Sequence, residues 1–458
     1  MKTIDKEVQQ KNLDGGLQRI IVPFQEFVHT QSFSGILLLV LTIAALIWAN
    51  SAFSSSYINL WNTEISIGIK DFMFTRPLHF YINDGLMAIF FLLVGLEIKR
   101  EIIAGELSSV RLAALPITAA LGGMIFPALI YTAFNLGTEH IKGWGIPTAT
   151  DIAFALGIMS ILGDRVSTGL KVFLTALAIA DDMGAVVIIA IFYTSELALG
   201  WLILGLAFFA LQILANYFNV FKTAVYLFLG LIMLIAFYNA GIHPTIAGVL
   251  TAIAIPASNK IDGETMYNRI QYYLGQFESA FRTQKHPLSN DSELQGIYSI
   301  EKTTKNAQTP LKRLEDRLHP WVTYFIMPIF ALANAGVVLQ SNFLSSYSDT
   351  VTLGVMAGLI IGKPIGITLF SYLSVKFGIA QLPEKENWRS IFSAGCLAGI
   401  GFTMSIFITG LAFTDNGAID LSKIGILSAS LLSGIIGYLL LRSGFTTSGK
   451  AGISVSEN

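Results

Sequence analysis

Asp181 and Asp182 stand side by side in ALAIADDMGAVVIIAIFY, residues 176–193, within a stretch that is otherwise uncharged from Val172 to Tyr193. If that stretch crosses a membrane, each charge costs about 2.5–3.5 kcal/mol on insertion scales. Neighbours on a helix point about 100° apart, so one acid can line a cavity while the other reaches an adjacent helix. Asp181 falls about 18 Å along its span, close to mid-bilayer, at the usual rise per residue. Two close carboxylates in a low dielectric resist ionising together, which retains a proton. The same oxygens suit a small hard cation. A proton and a cation competing for one pair of carboxylates is the chemistry of coupled exchange. The plainer alternative is a buried acid pair satisfied by hydrogen bonds, with no part in transport.

Three more stretches carry groups that such a site would need. TATDIAFALG (148–157) places Asp151 just after Thr148 and Thr150. Pro147 removes a backbone donor and disfavours helix at Ile146. Ser and Thr side chains can satisfy backbone groups freed at membrane depth. The expectation is a helix interrupted near mid-membrane, its positive N-terminal end compensated by Asp151; a simple proline kink is the alternative. GCLAGIGFTMSIF (395–407) gathers Gly395, Gly399 and Gly401 with Ala398. Such residues weaken a helix and mark a second break, or else allow a close helix contact. GLIIGKPIGI (358–367) puts Lys363 before Pro364, among Gly358, Gly362 and Gly366. A lysine at this depth needs an acid partner, with Asp181 or Asp182 expected, unless it snorkels to the interface. Asp84, in YINDGLMAIFF, lies nearer a span end, where a capping role serves equally well. FLLVGLEIKRE (91–101) closes its span with Glu97, Lys99, Arg100 and Glu101, which reads as a solvated edge.

These residues need a membrane-spanning scaffold, and the composition supplies one. The 458-residue chain is 53% hydrophobic and only 13% charged, against about a quarter charged in soluble domains; its mean hydropathy is +0.63. A net charge of −1 excludes the basic footprint of a nucleic-acid binder. The single cysteine, Cys396, excludes an intrachain disulfide. The polar N-terminus MKTIDKEVQQKNLDGG has no signal-peptide core, so the first apolar run is taken as a true span. At about 20 apolar residues per span, the fold class is an all-α membrane protein of twelve transmembrane helices. They lie near 33–50, 78–98, 112–135, 145–162, 169–193, 199–218, 222–239, 243–256, 320–339, 351–376, 389–412 and 421–442.

With both termini in the cytoplasm, 24 of the 29 Lys and Arg fall in the tails and inner loops. Four fall outside (Lys70, Arg76, Lys142 and Lys423), and Lys363 is within a span. Discounting the nine in the long 257–319 loop leaves 15 against four, which follows the positive-inside rule. The organisation is then a tail at 1–30, spans one to eight at 31–256, a polar cytoplasmic insertion at 257–319, spans nine to twelve at 320–442 and a tail at 443–458. The insertion holds NRIQYYLGQFESAF (268–281), a surface helix, then a Ser/Asn/Thr/Lys-rich stretch expected to be partly disordered. EISIGIKDFMF (64–74) alternates apolar and polar around a Lys-Asp break and predicts a short outer-surface β-hairpin. An isolated two-stranded hairpin is marginal in water. Either it pairs with the hairpin of a second copy, or it is an ordinary ordered loop.

Spans three to five (112–193) and ten to twelve (351–442) both read helix, broken helix, helix. An odd number of spans per unit makes the two units inverted repeats, and paired interrupted spans point to a mid-membrane ion site. Together TATDIAFALG, ALAIADDMGA, GLIIGKPIGI and GIGFTMSIF resemble the NhaA family of sodium/proton antiporters, itself a standard case of inverted repeats. The resemblance runs from about residue 31 to 442, apart from the insertion. It implies two crossed broken helices, here the fourth and eleventh, and a homodimer joined partly through the 64–74 hairpin. It implies a secondary transporter of the bacterial inner membrane, not an enzyme, embedded in the lipid bilayer with both termini cytoplasmic. Sodium or lithium would be exchanged for more than one proton by pH-regulated alternating access. No cofactor is implied beyond the transported Na⁺, Li⁺ and H⁺. By the same resemblance Asp182 is the principal cation-binding acid and Asp181 the partner of Lys363, the two holding Na⁺ transiently. Asp151 and Thr150 are the broken-helix pair. Glu97, Arg100, Glu101, Glu315 and His319 match a cytoplasmic charge cluster that governs activation by alkaline pH, and His243 matches another residue linked to that response. Two departures bear on pH behaviour. Asp316, in LEDRLHPWV, stands where the best-known members have a histidine, which removes a group that titrates near neutral pH. The insertion, roughly 258–308, directly precedes the cluster.

Two other classes fit these residues less well. An intramembrane aspartyl protease would hold its acids on different helices, one in a Gly-x-Gly-Asp setting. Here the acids are adjacent, and the nearest approach, ILGD at 161–164, lacks the first glycine. A sodium-coupled solute symporter on a related fold would not need Lys363 beside an acid pair.

Overall fold

The computed structural model describes residues 31–69, 72–194, 197–281, 291–338, 343–383 and 386–444. Both tails read from the sequence, up to two residues of the second, lie outside the described residues, as do Lys70 and the middle of the insertion at 282–290.

Almost all of the described chain is helical. α1 (Gln31–Ala49) turns through 111° into α2 (Ser54–Asn62), a helix the sequence pattern did not announce. The expected hairpin follows as β1 (Glu64–Ile69) and β2 (Phe72–Pro77), antiparallel, registered from Glu64 opposite Pro77 to Ile69 opposite Phe72. Its second strand runs past the predicted end at Phe74. A π-helical segment, Tyr81–Leu86, leads into α3 (Met87–Ala104). α4 (Val110–Phe134) starts where the Ser109 hydroxyl accepts the Leu112 N–H, and it carries Pro116 and Pro127 inside it. A 3₁₀ segment, Glu139–Thr148, stops just after Pro147, and α5 (Ile152–Leu162) restarts at Asp151, which is the interruption expected there. α6 (Thr168–Phe192) carries Asp181 and Asp182. α7 (Leu199–Tyr217), α8 (Thr223–Ala240) and the short α9 (Thr245–Ala254) follow. Gly241, at φ 83°, ends α8 in the left-handed region that glycine tolerates.

The described parts of the insertion are largely helical. α10 (Gly263–Phe281) is joined by α11 (Asp291–Ala307), formed from the stretch expected to be partly disordered. The two pack closely, Gly296 lying against Phe277. α12 (Pro310–Trp321) begins inside the predicted loop and continues through a π segment, Val322–Ile326, into α13 (Met327–Asn334). Its start is locally encoded. The Thr309 hydroxyl accepts the Lys312 N–H and Pro310 occupies the first turn, where a missing N–H costs nothing. Leu311 and Leu314 supply a buried stripe at helical spacing. α14 (Thr350–Ala357), a π segment Gly358–Gly362 and α15 (Lys363–Lys376) form one continuous run. α16 (Trp388–Ala398) and α17 (Phe402–Ala412) meet at a 50° bend, the second expected break. α18 (Asn416–Gly444) closes the chain. Among the described residues seven helices are long and apolar enough to cross a membrane, or nine if each bent pair counts as one.

Contacts divide the chain into two compact units: residues 1–83, 106–193 and 323–458 in one, 84–105 and 194–322 in the other. In the first, α4 packs on α15 with almost no side chain between them. A Cβ at Gly122 would lie 2.2 Å from the Gly366 carbonyl oxygen, and one at Gly366 would lie 2.1 Å from that of Gly122. Only glycine fits on both sides, and close backbone approach of this kind is how helices associate where water offers no driving force. In the second unit α3 packs on α9, with Gly248 against the Ala88 carbonyl. A buried cluster there includes Leu92, Leu96, Tyr226, Ala252 and Leu311.

Candidate functional site

Lys363 is fully buried at the head of α15. Pro364 has no N–H, so the carbonyl four residues before it loses its usual donor, and the wider π turn Gly358–Gly362 stands just ahead of the lysine. The Lys363 ammonium donates to Asp181 Oδ2 at 2.6 Å and to Thr150 Oγ1 at 2.8 Å. Of the two acids, geometry selects Asp181. Asp182, one residue on, is also buried, and its carboxylate leaves the helix on a different heading. The second oxygen of Asp181, Oδ1, is buried and takes no hydrogen bond.

The two helix interruptions lie against each other. The Thr150 hydroxyl donates to the Ala398 carbonyl at 2.8 Å, and the Asp151 N–H donates to the Ile400 carbonyl at 2.6 Å. Asp151 caps both restarted helices. Its Oδ1 accepts the Phe154 N–H of α5 at 3.0 Å, and its Oδ2 accepts the Thr403 N–H of α17 at 3.2 Å together with the Thr403 hydroxyl. One carboxylate thus faces the positive ends of two helices, where its charge is most favourable. The Ser405 hydroxyl donates to the Ile146 carbonyl at 2.8 Å, and the Ser430 hydroxyl accepts the Phe402 N–H at 3.1 Å. Thr150, Asp151 and Ile400 of the unwound stretches are thus tied down across the two breaks, as backbone at membrane depth requires. The glycines of GCLAGIGFTMSIF make this possible: a Cβ at Gly399 would lie 2.5 Å from the Leu359 carbonyl oxygen.

A model of the Na+/H+ antiporter 1 family matches residues 25–441. The chain belongs to this family. It is 49% identical to the Na(+)/H(+) antiporter NhaA of Oleidesulfovibrio alaskensis over 93% of this chain and 95% of that one. It is likewise 49% identical to the NhaA of Wolinella succinogenes, over 93% and 94%, and 45% identical to that of Koribacter versatilis, over 94% of each.

The remaining family-matched positions lie in the second unit. Arg100 donates to Glu315 at 2.8 Å and to Glu101 at 2.9 Å. Lys312 reaches Glu315 at 3.2 Å and Asp316 at 2.9 Å. Glu315 is buried, and its Oε2 takes no hydrogen bond. The stretch read as a solvated edge is in fact partly enclosed, because α12 packs on α3 and covers it. Glu97 lies one turn before Arg100 and Glu101. Lys99 donates to the carbonyls of Ile253, at 2.6 Å, and Ile255, and so caps the end of α9. His319 sits one turn after Glu315. Desolvation of its ring holds it below the usual imidazole range, against the upward pull of Glu315. Asp316, next to Glu315, is the second acid that Lys312 pairs with. His243 Nε2 lies 3.1 Å from Asp84 Oδ1, and its Nδ1 lies 2.8 Å from the Thr245 hydroxyl, so Asp84 faces the His243 ring.

The bonds from Thr403, Ser405 and Ser430 were not anticipated. The first two lie inside the glycine motif, and a hydroxyl directly after a predicted break was the available signal. Nothing local marks Ser430.

Proposed function

We propose that this protein is an electrogenic Na⁺(Li⁺)/H⁺ antiporter of the bacterial inner membrane, extruding sodium in exchange for protons. The observation that carries the reading is the Lys363–Asp181 pair, bonded to Thr150 at the meeting of two interrupted helices and one residue from Asp182. The names of the relatives, all Na(+)/H(+) antiporters, support it. Asp182 binds the cation or its competing protons. Asp181 alternates between Lys363 and the cation, and Asp151 with Thr150 holds the breaks that line the path. Membrane-centred carboxylates aligned with positive helix ends and exposed backbone carbonyls are a known solution for small-ion sites.

The same proposal takes the chain as twelve spans with inverted repeats at 112–193 and 351–442, crossing at their broken helices. Cytoplasmic parts are the tails at 1–30 and 443–458 and the insertion at 257–319; the spans occupy 31–256 and 320–442. The apolar side chains left exposed on the hairpin, Ile67, Met73 and Phe74, favour a homodimer with hairpin against hairpin. Glu97, Arg100, Glu101, Glu315, His319 and His243 regulate activity with pH.

The test is transport by the purified protein in proteoliposomes holding an imposed pH gradient and no organic solute. Sodium or lithium alone should dissipate the gradient. A gradient that collapses only when a solute accompanies sodium would overturn antiport in favour of symport.

A further inference from the structure

In the second unit a cavity of about 850 Å³ opens where the turn before α8 meets the two ends of the insertion. Among the described residues its charged wall is wholly basic: Lys222, Lys260, Lys305, Arg313 and Arg317. The insertion builds the cavity. Lys260 enters that segment and Lys305 leaves it, and the Lys260 N–H donates to the Asn306 carbonyl at 3.2 Å, pinning the two ends together. Arg313 donates to the Lys305 carbonyl at 3.2 Å, which fixes a guanidinium at the rim. Of the nearby acids, Glu315 is engaged with Arg100 and Lys312 and Asp316 with Lys312, while Glu301 along α11 pairs with one wall residue, Lys305.

α8 opens into the same cavity at its N-terminus. Its N-cap residue is Lys222, which makes no side-chain capping bond, and Thr223 and Ala224 line the wall. A lysine has the wrong sign for the positive end of an 18-residue helix. An anion placed here would relieve that conflict and the mutual repulsion of the basic side chains together.

We propose that this cavity binds a phosphate-bearing anion with two or more negative charges. Arg313 and Arg317, one helical turn apart, supply planar donor forks suited to phosphate oxygens, and Lys222 and Lys260 supply point charges. The volume admits a group as large as a nucleotide. Phosphate of this kind comes either from a soluble cytoplasmic compound or from the headgroup of an anionic lipid, which basic pockets at a membrane's inner face also recognise. Because Arg313 and Arg317 lie on α12, the helix that presents Glu315 to Arg100, a bound anion also secures that helix. The site shares no residue with the ion-exchange site, and its occupancy is measured without transport.

The test uses the full chain in nanodiscs. One arm titrates inorganic pyrophosphate, then ATP without divalent metal, into phosphatidylcholine discs by calorimetry at low salt. The other compares the thermal midpoint in phosphatidylcholine and phosphatidylglycerol discs without added phosphate. The double variant Lys260→Gln/Arg317→Gln alters two exposed side chains, and Lys302→Gln, outside the cavity, is the control. Binding should weaken about tenfold or more in the double variant, the loss of two charge-assisted contacts, and should fall with salt. A soluble source appears as pyrophosphate or ATP binding; a lipid source appears as a phosphatidylglycerol stabilisation lost only in the double variant. Failure of every probe, or equal responses in the double variant and the wild type, would overturn the proposal.

Discussion

Replacing Asp181 by Asn leaves the Lys363 ammonium buried with only a neutral amide and Thr150 for company. Removing one partner of a buried pair costs about 3–5 kcal/mol, and the upper bound can be worked out separately for each side. The buried lysine can always escape by losing its proton. At pH 7, against an ordinary value near 10.4, that costs about 4.6 kcal/mol at 1.36 per pH unit. In Lys363→Gln the stranded Asp181 can instead gain a proton, which costs about 4.2 kcal/mol from an ordinary value near 3.9. Neutralisation reverses the pH slopes. Folded Asp181→Asn with neutral lysine binds fewer protons than its unfolded chain, so its stability rises with pH. Folded Lys363→Gln with a protonated acid binds more, so its stability rises as pH falls. The double variant Asp181→Asn/Lys363→Gln buries no charge, and a neutral replacement of a buried pair is often close to break-even. Unfolding in mild detergent, followed by intrinsic fluorescence from pH 6 to 9, should place the double variant above both singles. Additive losses, or single variants whose deficits slope the same way with pH, would refute the pairing.

Asp151→Ala removes a cap shared by α5 and α17. One cap is worth about 1 kcal/mol, so the loss should be about 2 kcal/mol or more in the same assay, with Thr403→Val giving a smaller part of it. If the hairpin joins two copies, deleting 64–77 should convert dimer to monomer in light scattering while exchange per copy survives; an unchanged mass would exclude that interface. His319 faces Glu315, Arg100, Lys312 and Asp316, and it is held below its ordinary 6.5. Unfolded chains therefore bind more protons than folded ones in the window beneath that value, and stability falls as pH drops through it. His319→Gln should flatten this acid limb of a thermal-midpoint profile, and an unaltered limb would discount the residue.

Much of the site was legible because burial at depth makes charge expensive and conspicuous. Asp181, Asp182, Asp151 and Lys363 stand out against apolar runs, and Pro147 marks its break through the backbone donor it lacks. What stayed open depended on rotation and distance. Adjacent acids cannot be told apart until packing at Gly122 and Gly366 sets how α15 faces α6. The reach of Thr403 to Asp151, or of Arg100 to Glu315, joins residues far apart in sequence, and no periodicity encodes such a meeting. α11 was missed because its composition is polar overall, although Leu294, Ile297 and Tyr298 recur at helical spacing and α10 packs beside it.

The central claim is that Asp182 carries the exchanged ion. Asp182→Asn keeps the shape of the side chain, and Asp181, Lys363 and Thr150 keep the bonds described between them. Sodium-induced alkalinisation of acid-loaded proteoliposomes, read with a pH-sensitive dye, should be lost in this variant from pH 6 to 9 while the wild type responds. Robust sodium-driven proton flux through Asp182→Asn would contradict the account.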